Sequence, residues 1–418
     1  MKEFYKNVLT LVRGSIISRV VALLTIPIVT RIYEPEQLGQ VTAFISIVTL
    51  ISSVSSFRYS IAIPLPKRNS VALNISFLCL ALSAVVNIIL FFLMCIDPYY
   101  VNAFLVKNDL SEYWYLIPLV AFLFSIQEIL TVWTIRIKKF GSLSRSAIFQ
   151  SFSNSGSKVI LGNYSATTQS LIYALIITYI TGIIVLISGF SKNVKINTIK
   201  ISKMLFLIRY YRNIPLYRLP SQAVLSFCMN MPVLYISTMY NPHTTGQLGL
   251  ALTVLALPID LIGKTIGQAF YGSIAQLGRN RPKDIYELSK DVVGKLFLCS
   301  LLPFLIIFTY GNELFTFIFG SNWLDAGLYA EILSIYIVAN LISSPIVNVL
   351  NVLNKNKSYL FINLFRLLIV GLGFYFSYYQ ELDIKETLWI YSLCITTHYI
   401  LSLLYIFRVL KNKVLLSD

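Results

Sequence analysis

The sequence predicts an all-α integral membrane protein with about twelve transmembrane helices in two pseudo-symmetric lobes of six helices each. Three observations support this fold class. Of the 418 residues, 56% are hydrophobic and only 12% are charged, whereas a soluble domain carries about 25% charged residues. The apolar residues form stretches long enough to cross a bilayer, which takes about 20 residues. A seven-residue turn pattern also occurs twice, about half a chain apart.

The repeated turn predicts that the chain contains two copies of one architecture. Both copies have the pattern Y-x-P-x-x-x-G, at residues 33–39 and 240–246, and each closes an apolar run that contains a proline. If each half holds six spans, the two repeats have the same orientation and are related by an axis along the membrane normal. A substrate site is then expected between the two lobes.

One long connection separates the first six predicted spans from the last six. The spans cover residues 8–32, 37–62, 71–96, 113–137, 143–163, 168–190, 214–240, 245–273, 288–310, 326–352, 358–379 and 386–409. The connection at 191–213 has six basic residues and no acidic one. This composition predicts an amphipathic linker on the membrane surface. The predicted domains are therefore an N-terminal lobe at 1–190, a cytoplasmic linker at 191–213 and a C-terminal lobe at 214–418.

The distribution of charge in the loops predicts that both termini are cytoplasmic. Lysine and arginine concentrate in alternate loops, and most loop acids lie in the others. Basic loops mark the cytoplasmic side of a membrane protein. The net charge of +16 is then largely a topology signal, so no nucleic-acid partner is expected. Five cysteines in apolar runs and two histidines form no metal-binding pattern, so no metal site is expected.

Seven basic residues inside the predicted spans are candidate ligands for an anion. They are Arg13 and Arg19 in span 1, Arg58 in span 2, Lys158 in span 5, Arg218 in span 7, Lys264 in span 8 and Arg366 in span 11. Such charges normally face a cavity or a partner, because each costs about 3 kcal/mol at the centre of a span. They outnumber the deep acids, Glu128 and Asp260. This excess favours an anionic substrate, since guanidinium groups bind phosphate with two parallel hydrogen bonds.

Several of these charges have simpler explanations. Arg13 and Arg58 lie in the cytoplasmic halves of their predicted spans, where long side chains can extend to the interface. Asp260 and Lys264 are four residues apart and can form an ion pair on one helix face. Asp260 and Glu128 are also the candidate residues for coupling transport to H⁺ or Na⁺.

Span 5 is rich in polar side chains, so it is not expected to face lipid. Its polar residues are Gln150, Ser151, Ser153, Asn154, Ser155 and Ser157. Close helix packing through small polar residues explains the serines. It does not explain Lys158, so lining of a cavity is favoured.

Three segments of the chain resemble the Wzx-type O-antigen and polysaccharide flippases of the MOP (MATE-like) exporter superfamily. They are residues 19–44, 212–276 and 319–336. The middle segment carries the most specific pattern, P-x-x-x-x-P…P-V…G…A…P…G…Q-x-F-Y. The resemblance implies a non-enzymatic flippase of the bacterial inner membrane. It would move an undecaprenyl-pyrophosphate-linked oligosaccharide, such as an O-antigen or capsule repeat unit, to the outer leaflet by alternating access.

The resemblance also implies roles for particular residues. In the related lipid II flippases, paired arginines in span 1, one arginine in span 2 and one in span 8 bind the head group. Arg13 and Arg19 match the spacing in span 1, and Arg58 lies at a comparable depth in span 2. Span 8 has Lys264 instead of an arginine, so the correspondence is weaker there. The implied partners are the lipid-linked oligosaccharide, membrane lipids, and the polysaccharide polymerase with its chain-length machinery.

Two other functions remain open. A cation-coupled, MATE-like multidrug exporter would depend on Asp260 or Glu128, but the basic candidate residues suit a cationic drug poorly. A membrane enzyme or assembly scaffold of the same polysaccharide pathway is the third reading. No P-loop, H-E-x-x-H or G-x-S-x-G motif occurs in the sequence, so no enzymatic activity is expected. No cofactor is expected either, apart from H⁺ or Na⁺ as a coupling ion.

Overall fold

The computed structural model describes residues 2–96, 102–190, 198–259, 263–278, 281–353 and 355–415 of the chain. Within these ranges all regular secondary structure is helical. The helices are α1 (Lys2–Ile32), α2 (Pro35–Ser55), α3 (Asn69–Ile96), α4 (Asn102–Lys107), α5 (Leu116–Arg136), α6 (Phe140–Tyr164), α7 (Thr168–Phe190), α8 (Ile201–Tyr210), α9 (Asn213–Met239), α10 (Pro242–Pro258), α11 (Lys264–Leu277), α12 (Pro282–Phe319), α13 (Leu324–Ile346), α14 (Asn348–Val352), α15 (Asn356–Tyr379) and α16 (Ile384–Leu415).

Ten helices in the described part of the chain are long and apolar enough to cross a membrane, which confirms the predicted fold class but not the count of twelve. The two remaining predicted spans differ from this pattern for different reasons. α6 has 25 residues, which is sufficient length, but its serines reduce its hydropathy. The predicted span at 245–273 contains α10 and α11, and residues 260–262 between them lie outside the described ranges, so whether it forms one continuous span is not tested.

The chain divides into two compact units, residues 1–246 and 247–418. In the first unit α3 packs on α5, and both α5 and α6 pack on α7. In the second unit α12 packs on α13, and both α13 and α15 pack on α16. The same order of packing in both units supports the duplicated architecture. α9 packs on α2 and so belongs to the first unit. The lobe boundaries at 190 and 214 stay a prediction.

Both copies of the repeated turn have the same local structure. α1 ends one residue before Tyr33, and α2 begins at Pro35. In the second copy α9 ends one residue before Tyr240, and α10 begins at Pro242. Proline suits the first position of a helix, because its missing N–H would have no partner there. The pattern Y-x-P therefore ends one helix and starts the next.

The two copies also contact each other through their final glycines. A Cβ atom added at Gly39 would overlap the carbonyl oxygen of Pro242, and one added at Gly246 would overlap that of Pro35. Glycine is needed wherever two backbones approach this closely. This reciprocal contact, in which each glycine faces the proline of the other copy, explains why both copies of the pattern end in glycine, although these glycines lie near the starts of α2 and α10 and not in a turn between helices.

α1 and α6 pack through small residues. Gly14 lies against Ser144, and the Ser151 hydroxyl donates a hydrogen bond to the carbonyl oxygen of Ser18 at 2.6 Å. At the other end of the pair, the buried Tyr33 hydroxyl donates to the carbonyl oxygen of Lys158 at 2.9 Å. Close helix packing therefore accounts for at least part of the serine content of span 5.

The predicted linker contains the amphipathic helix α8, and its residues 191–197 lie outside the described ranges. The fully buried Asn74 of α3 holds the segment before α8, since it donates to the carbonyl oxygen of Thr198 at 3.1 Å and accepts from the backbone N–H of Lys200 at 3.0 Å. Leu207 packs into the first unit. Four other apolar side chains of α8 are exposed, namely Ile201, Leu205, Phe206 and Tyr210. An exposed apolar surface of this kind suits an interfacial helix. The position of α8 on the membrane surface stays a prediction.

Replacing Gly39 with alanine should lower the melting temperature of the purified protein, because the added Cβ overlaps the carbonyl oxygen of Pro242. Overpacking of this kind costs about 1–3 kcal/mol. Gly246→Ala should act in the same way through Pro35. The control is Gly156→Ala in α6, where a Cβ meets nothing within 4 Å, so the melting temperature should stay the same or rise. Equal melting temperatures for all three variants would contradict the reciprocal contact.

Candidate functional site

A cavity of about 410 Å³ in the first unit, lined mainly by residues with polar side chains, is the candidate site. Its lining residues come from α2, α5, α9 and the turn after α2. They are Thr49, Ser53, Arg58, Phe124, Gln127, Glu128, Thr131, Gln222 and Ser226. Phe124 is the one apolar member of this set. A wall of this composition inside an apolar helix bundle is suited to water or to a polar ligand rather than to lipid.

A left-handed turn places Arg58 on the wall of this cavity. α2 ends at Ser55, and the chain then passes through Phe57 and Arg58, whose φ angles are 49° and 59°. A short 3₁₀ helix, Tyr59–Ala62, follows. Side chains other than glycine adopt such φ values at a cost of about 1–3 kcal/mol, and such residues concentrate at functional sites.

Arg58 and Glu128 form an ion pair inside the cavity. The Nη1 atom of Arg58 lies 3.2 Å from Oε1 of Glu128, and the Ser60 hydroxyl donates to the same oxygen at 3.2 Å. The two side chains are 18% and 24% exposed. The buried Nε of Arg58 has no hydrogen-bond acceptor among the described residues. The pair therefore compensates the charge of Arg58 and leaves one of its donors unused.

A row of polar side chains leads from the cavity to α6. The side-chain amide of Gln127 donates to Oε1 of Gln150 at 2.7 Å, and that of Gln150 donates to the Ser146 hydroxyl at 2.8 Å. Oε1 of Gln127 is buried without a donor in the described part of the chain. On another side of the cavity, the Thr49 hydroxyl donates to Oδ1 of Asn230 at 3.1 Å, which joins α2 to α9. The cavity wall is thus fixed by side-chain hydrogen bonds between helices.

The structure places four other predicted anion ligands of the first unit away from this cavity. Arg13 on α1 and Arg218 on α9 are exposed. Arg19 on α1 and Lys158 on α6 are half-buried. None of the four is among the residues that line the cavity. Arg58 is the predicted basic ligand that the structure brings there, and it meets Glu128, a predicted coupling residue. The binding roles of all five basic residues stay predictions.

In the second unit, Arg366 is buried and packs against an aromatic ring. Its guanidinium carbon lies 4.8 Å from the centre of the Tyr399 ring. This cation–π contact stabilises a buried charge. His398 is also buried and stacks against Phe365 with 6.0 Å between ring centres, as expected for a core histidine. Arg366 therefore has a packing role in the described structure, and its role as a pyrophosphate ligand stays a prediction.

The predicted pair between Asp260 and Lys264 lies outside the described residues. Asp260 falls in the gap at 260–262, and the structure describes the backbone of Lys264 but not the surroundings of its side chain. Neither the ion pair nor the coupling role of Asp260 is therefore tested. Both stay predictions.

Several residues of the cavity wall were not among the sequence-based candidates. Gln127 and Thr131 are four residues apart on α5, and Gln222 and Ser226 are four apart on α9. Residues at this spacing share one face of a helix. A search for uncharged polar residues at intervals of four in the apolar spans would therefore have found them.

The fold is that of the MOP superfamily. An inward-facing multidrug resistance MATE family transporter of this superfamily matches with a TM-score of 0.73 and 13% identity, over 96% of this chain and 95% of that chain. An outward-facing MATE family transporter matches with a TM-score of 0.61 and 14% identity, over 98% of this chain and 96% of that chain. A MOP superfamily transporter from Pyrococcus furiosus, described as having a binding pocket of reverse polarity, matches with a TM-score of 0.65 and 14% identity. The match covers 98% of this chain and 96% of that chain.

A family model described as "Polysaccharide biosynthesis protein" matches residues 28–327, which is more than half of the chain. The chain therefore belongs to this family of polysaccharide biosynthesis proteins. A search of curated protein sequences gives no match. Family and fold together define a multi-pass membrane transporter or flippase of the MOP type, which confirms the resemblance seen in the sequence.

Replacing Glu128 with glutamine should destabilise the protein, because Arg58 then has no counterion in the cavity. Loss of a hydrogen bond to a charged group costs about 1–3 kcal/mol. Arg58→Gln should cost a similar amount, and the double variant should cost less than the sum. Thermal melting of the purified variants checks this, with the exposed Glu313 changed to glutamine as the control. If the loss of stability in the double variant equals the sum of the two single losses, the ion pair contributes no stability.

Proposed function

We propose that this protein is a flippase that moves an undecaprenyl-pyrophosphate-linked oligosaccharide from the cytoplasmic to the outer leaflet. The observation that carries the proposal is a polar cavity containing an arginine, in a chain that has a transporter fold and belongs to a polysaccharide biosynthesis family. A lipid-linked oligosaccharide joins a charged head group to polar sugars, and neither can cross a bilayer unaided. A cavity with polar walls offers such groups a path.

Arg58 is the residue best placed to bind the pyrophosphate. Glu128 occupies its Nη1 atom, and 18% of the Arg58 side chain stays exposed at the cavity. A phosphate oxygen could therefore bind the exposed part of the guanidinium group while Glu128 remains paired, or could replace Glu128 altogether. The remaining predicted ligands are Arg13, Arg19, Lys158, Arg218, Lys264 and Arg366.

The same ion pair gives a route to ion coupling. A proton or Na⁺ that binds Glu128 would weaken its attraction for Arg58. The Arg58 guanidinium group would then bind the pyrophosphate more tightly, because Glu128 would compete less for it. This mechanism makes Glu128 the preferred coupling residue, with Asp260 as the second candidate.

The setting of the proposed transport is a bacterial inner membrane, with both termini in the cytoplasm. The alternating basic loops support this orientation. A flipped repeat unit would be received at the outer leaflet by a polysaccharide polymerase and its chain-length machinery, which are the proposed protein partners.

The alternative function is a cation-coupled multidrug exporter. It is favoured by the carboxylate of Glu128 in the cavity and by the MATE transporters among the structural neighbours. A cationic drug, however, needs a negative charge that is not already compensated. Among the described residues that line the cavity Glu128 is the one acid, and it is paired with Arg58. The flippase is therefore the better supported function.

Deleting the gene in the source bacterium should leave the lipid-linked oligosaccharide on the cytoplasmic leaflet. An impermeant sugar-reactive label, applied to intact cells and to opened vesicles, measures the distribution. Wild-type protein and the control Lys107→Gln, an exposed lysine at the end of α4, should restore outer-leaflet labelling. Arg58→Gln should reduce it at least tenfold, because the pyrophosphate loses its cationic ligand.

Two other outcomes would contradict parts of this proposal. An unchanged leaflet distribution in the deletion strain would overturn the flippase function, and drug sensitivity in that strain would then support the exporter. Full restoration by Arg58→Gln, with loss of transport in Arg19→Gln or Lys158→Gln, would place the pyrophosphate on α1 and α6 instead.

A further inference from the structure

The second unit contains a cavity of about 410 Å³ that the proposed pyrophosphate site does not use. It lies between α11 on one side and the α13–α14 segment on the other. Its lining residues are Ile259, Gly263, Gly267, Tyr271, Asn340, Ser344, Pro345 and Asn348. The described lining residues carry no charged side chain, and the side chain of the neighbouring Lys264 lies outside the described part of the chain. The groups that the described wall offers to a ligand are neutral and polar.

One wall of this cavity combines open space with an aromatic ring. Gly263, Gly267 and Tyr271 are spaced at four residues, so they follow one face of the α11 segment. A Cβ atom at Gly267 would make only ordinary contact, at 3.5 Å from Pro345. Packing therefore does not require glycine at this position. The absence of a side chain at Gly267 keeps the cavity open. The Tyr271 side chain is 44% exposed, so its ring is accessible to a ligand.

The opposite wall presents amide and hydroxyl groups. Asn340, Ser344 and Asn348 are again spaced at four residues. Asn340 and Ser344 are half-buried, and neither side chain has a hydrogen-bond partner among the described residues. An amide donates two hydrogen bonds and accepts at its oxygen, and a hydroxyl both donates and accepts. Polar groups that lack protein partners at a cavity wall are available to a ligand.

We propose that this cavity binds uncharged sugar residues of the transported oligosaccharide. Sugar hydroxyls both donate and accept hydrogen bonds, which matches the Asn340 and Ser344 side chains. The apolar face of a sugar ring can pack on the Tyr271 ring, and Gly267 leaves room for it. This inference rests on the proposed flippase function and deepens it, since it assigns sugar recognition to neutral side chains outside the cavity that contains Arg58.

The test compares two lipids with the purified full-length protein in nanodiscs. The probes are undecaprenyl pyrophosphate without sugar, and the lipid-linked oligosaccharide extracted from the deletion strain. Wild type should bind the sugar-bearing lipid at least tenfold more tightly than the bare lipid. Asn340→Leu, which removes the amide at similar volume, and Gly267→Leu, which fills the cavity, should reduce this difference to about threefold or less. Their dissociation constants for the bare lipid should not change.

The matched control is Gly272→Leu, which adds the same side chain to the same helix at a position where a Cβ meets nothing within 4 Å. This variant should bind the sugar-bearing lipid at least tenfold more tightly than the bare lipid, as wild type does. If Gly267→Leu does not fold, the smaller Gly267→Ala and Asn340→Leu carry the test, because the alanine Cβ fits without a clash.

The outcomes separate this inference from the proposed function. If the cavity variants bind the sugar-bearing lipid as tightly as wild type, the sugar site is wrong and the flippase function stands. The same holds if wild type does not distinguish the two lipids. If wild type binds neither lipid, both proposals are overturned.

Discussion

An apolar membrane interior leaves a polar side chain two stable places, against a neighbouring helix or in a cavity that holds water or ligand. The structure uses both. On α6, Ser151 bonds to the backbone of α1, and Gln150 joins the row that begins at Gln127. Arg366 is accommodated by the Tyr399 ring. Arg58 lies in a cavity wall, where it pairs with Glu128 and keeps part of its side chain exposed to a substrate. The helix packing and the candidate sites follow from the same constraint.

The sequence predicted the fold class well because hydropathy and turn chemistry are local properties. The repeated Y-x-P pattern was correctly placed between two helices, although α2 and α10 begin at Pro35 and Pro242, before the predicted spans at 37 and 245. The count of twelve spans stays a prediction, because residues 260–262 of one predicted span lie outside the described ranges. The serines of α6 also show a limit of pattern reading. The same small polar residues serve helix packing and cavity lining, and contacts decide between the two.

The candidate site could be predicted only in part. Arg58 and Glu128 were both identified from their depth, but as members of two different sets. Their pairing depends on a left-handed turn at Arg58 and on the packing of α2 against α5, and neither is visible in the residue pattern. Uncharged residues such as Gln127 and Asn340 share a helix face with other polar residues, but that spacing alone does not say whether the face packs on another helix or lines a cavity. Charge therefore marked where a ligand could be bound, and the structure added the neutral groups that could distinguish one ligand from another.

The reciprocal contact of Gly39 and Gly246 has a consequence for the history of this chain. After a duplication, most paired positions are free to diverge, since a change in one copy does not restrict the other. Here each glycine faces the backbone of the opposite copy. A larger residue arising in either copy would meet that backbone, and no change in the other copy's side chains would relieve it. Substitution is therefore restricted at both positions together. We expect the two copies of this pattern to stay similar in sequence longer than the helices around them.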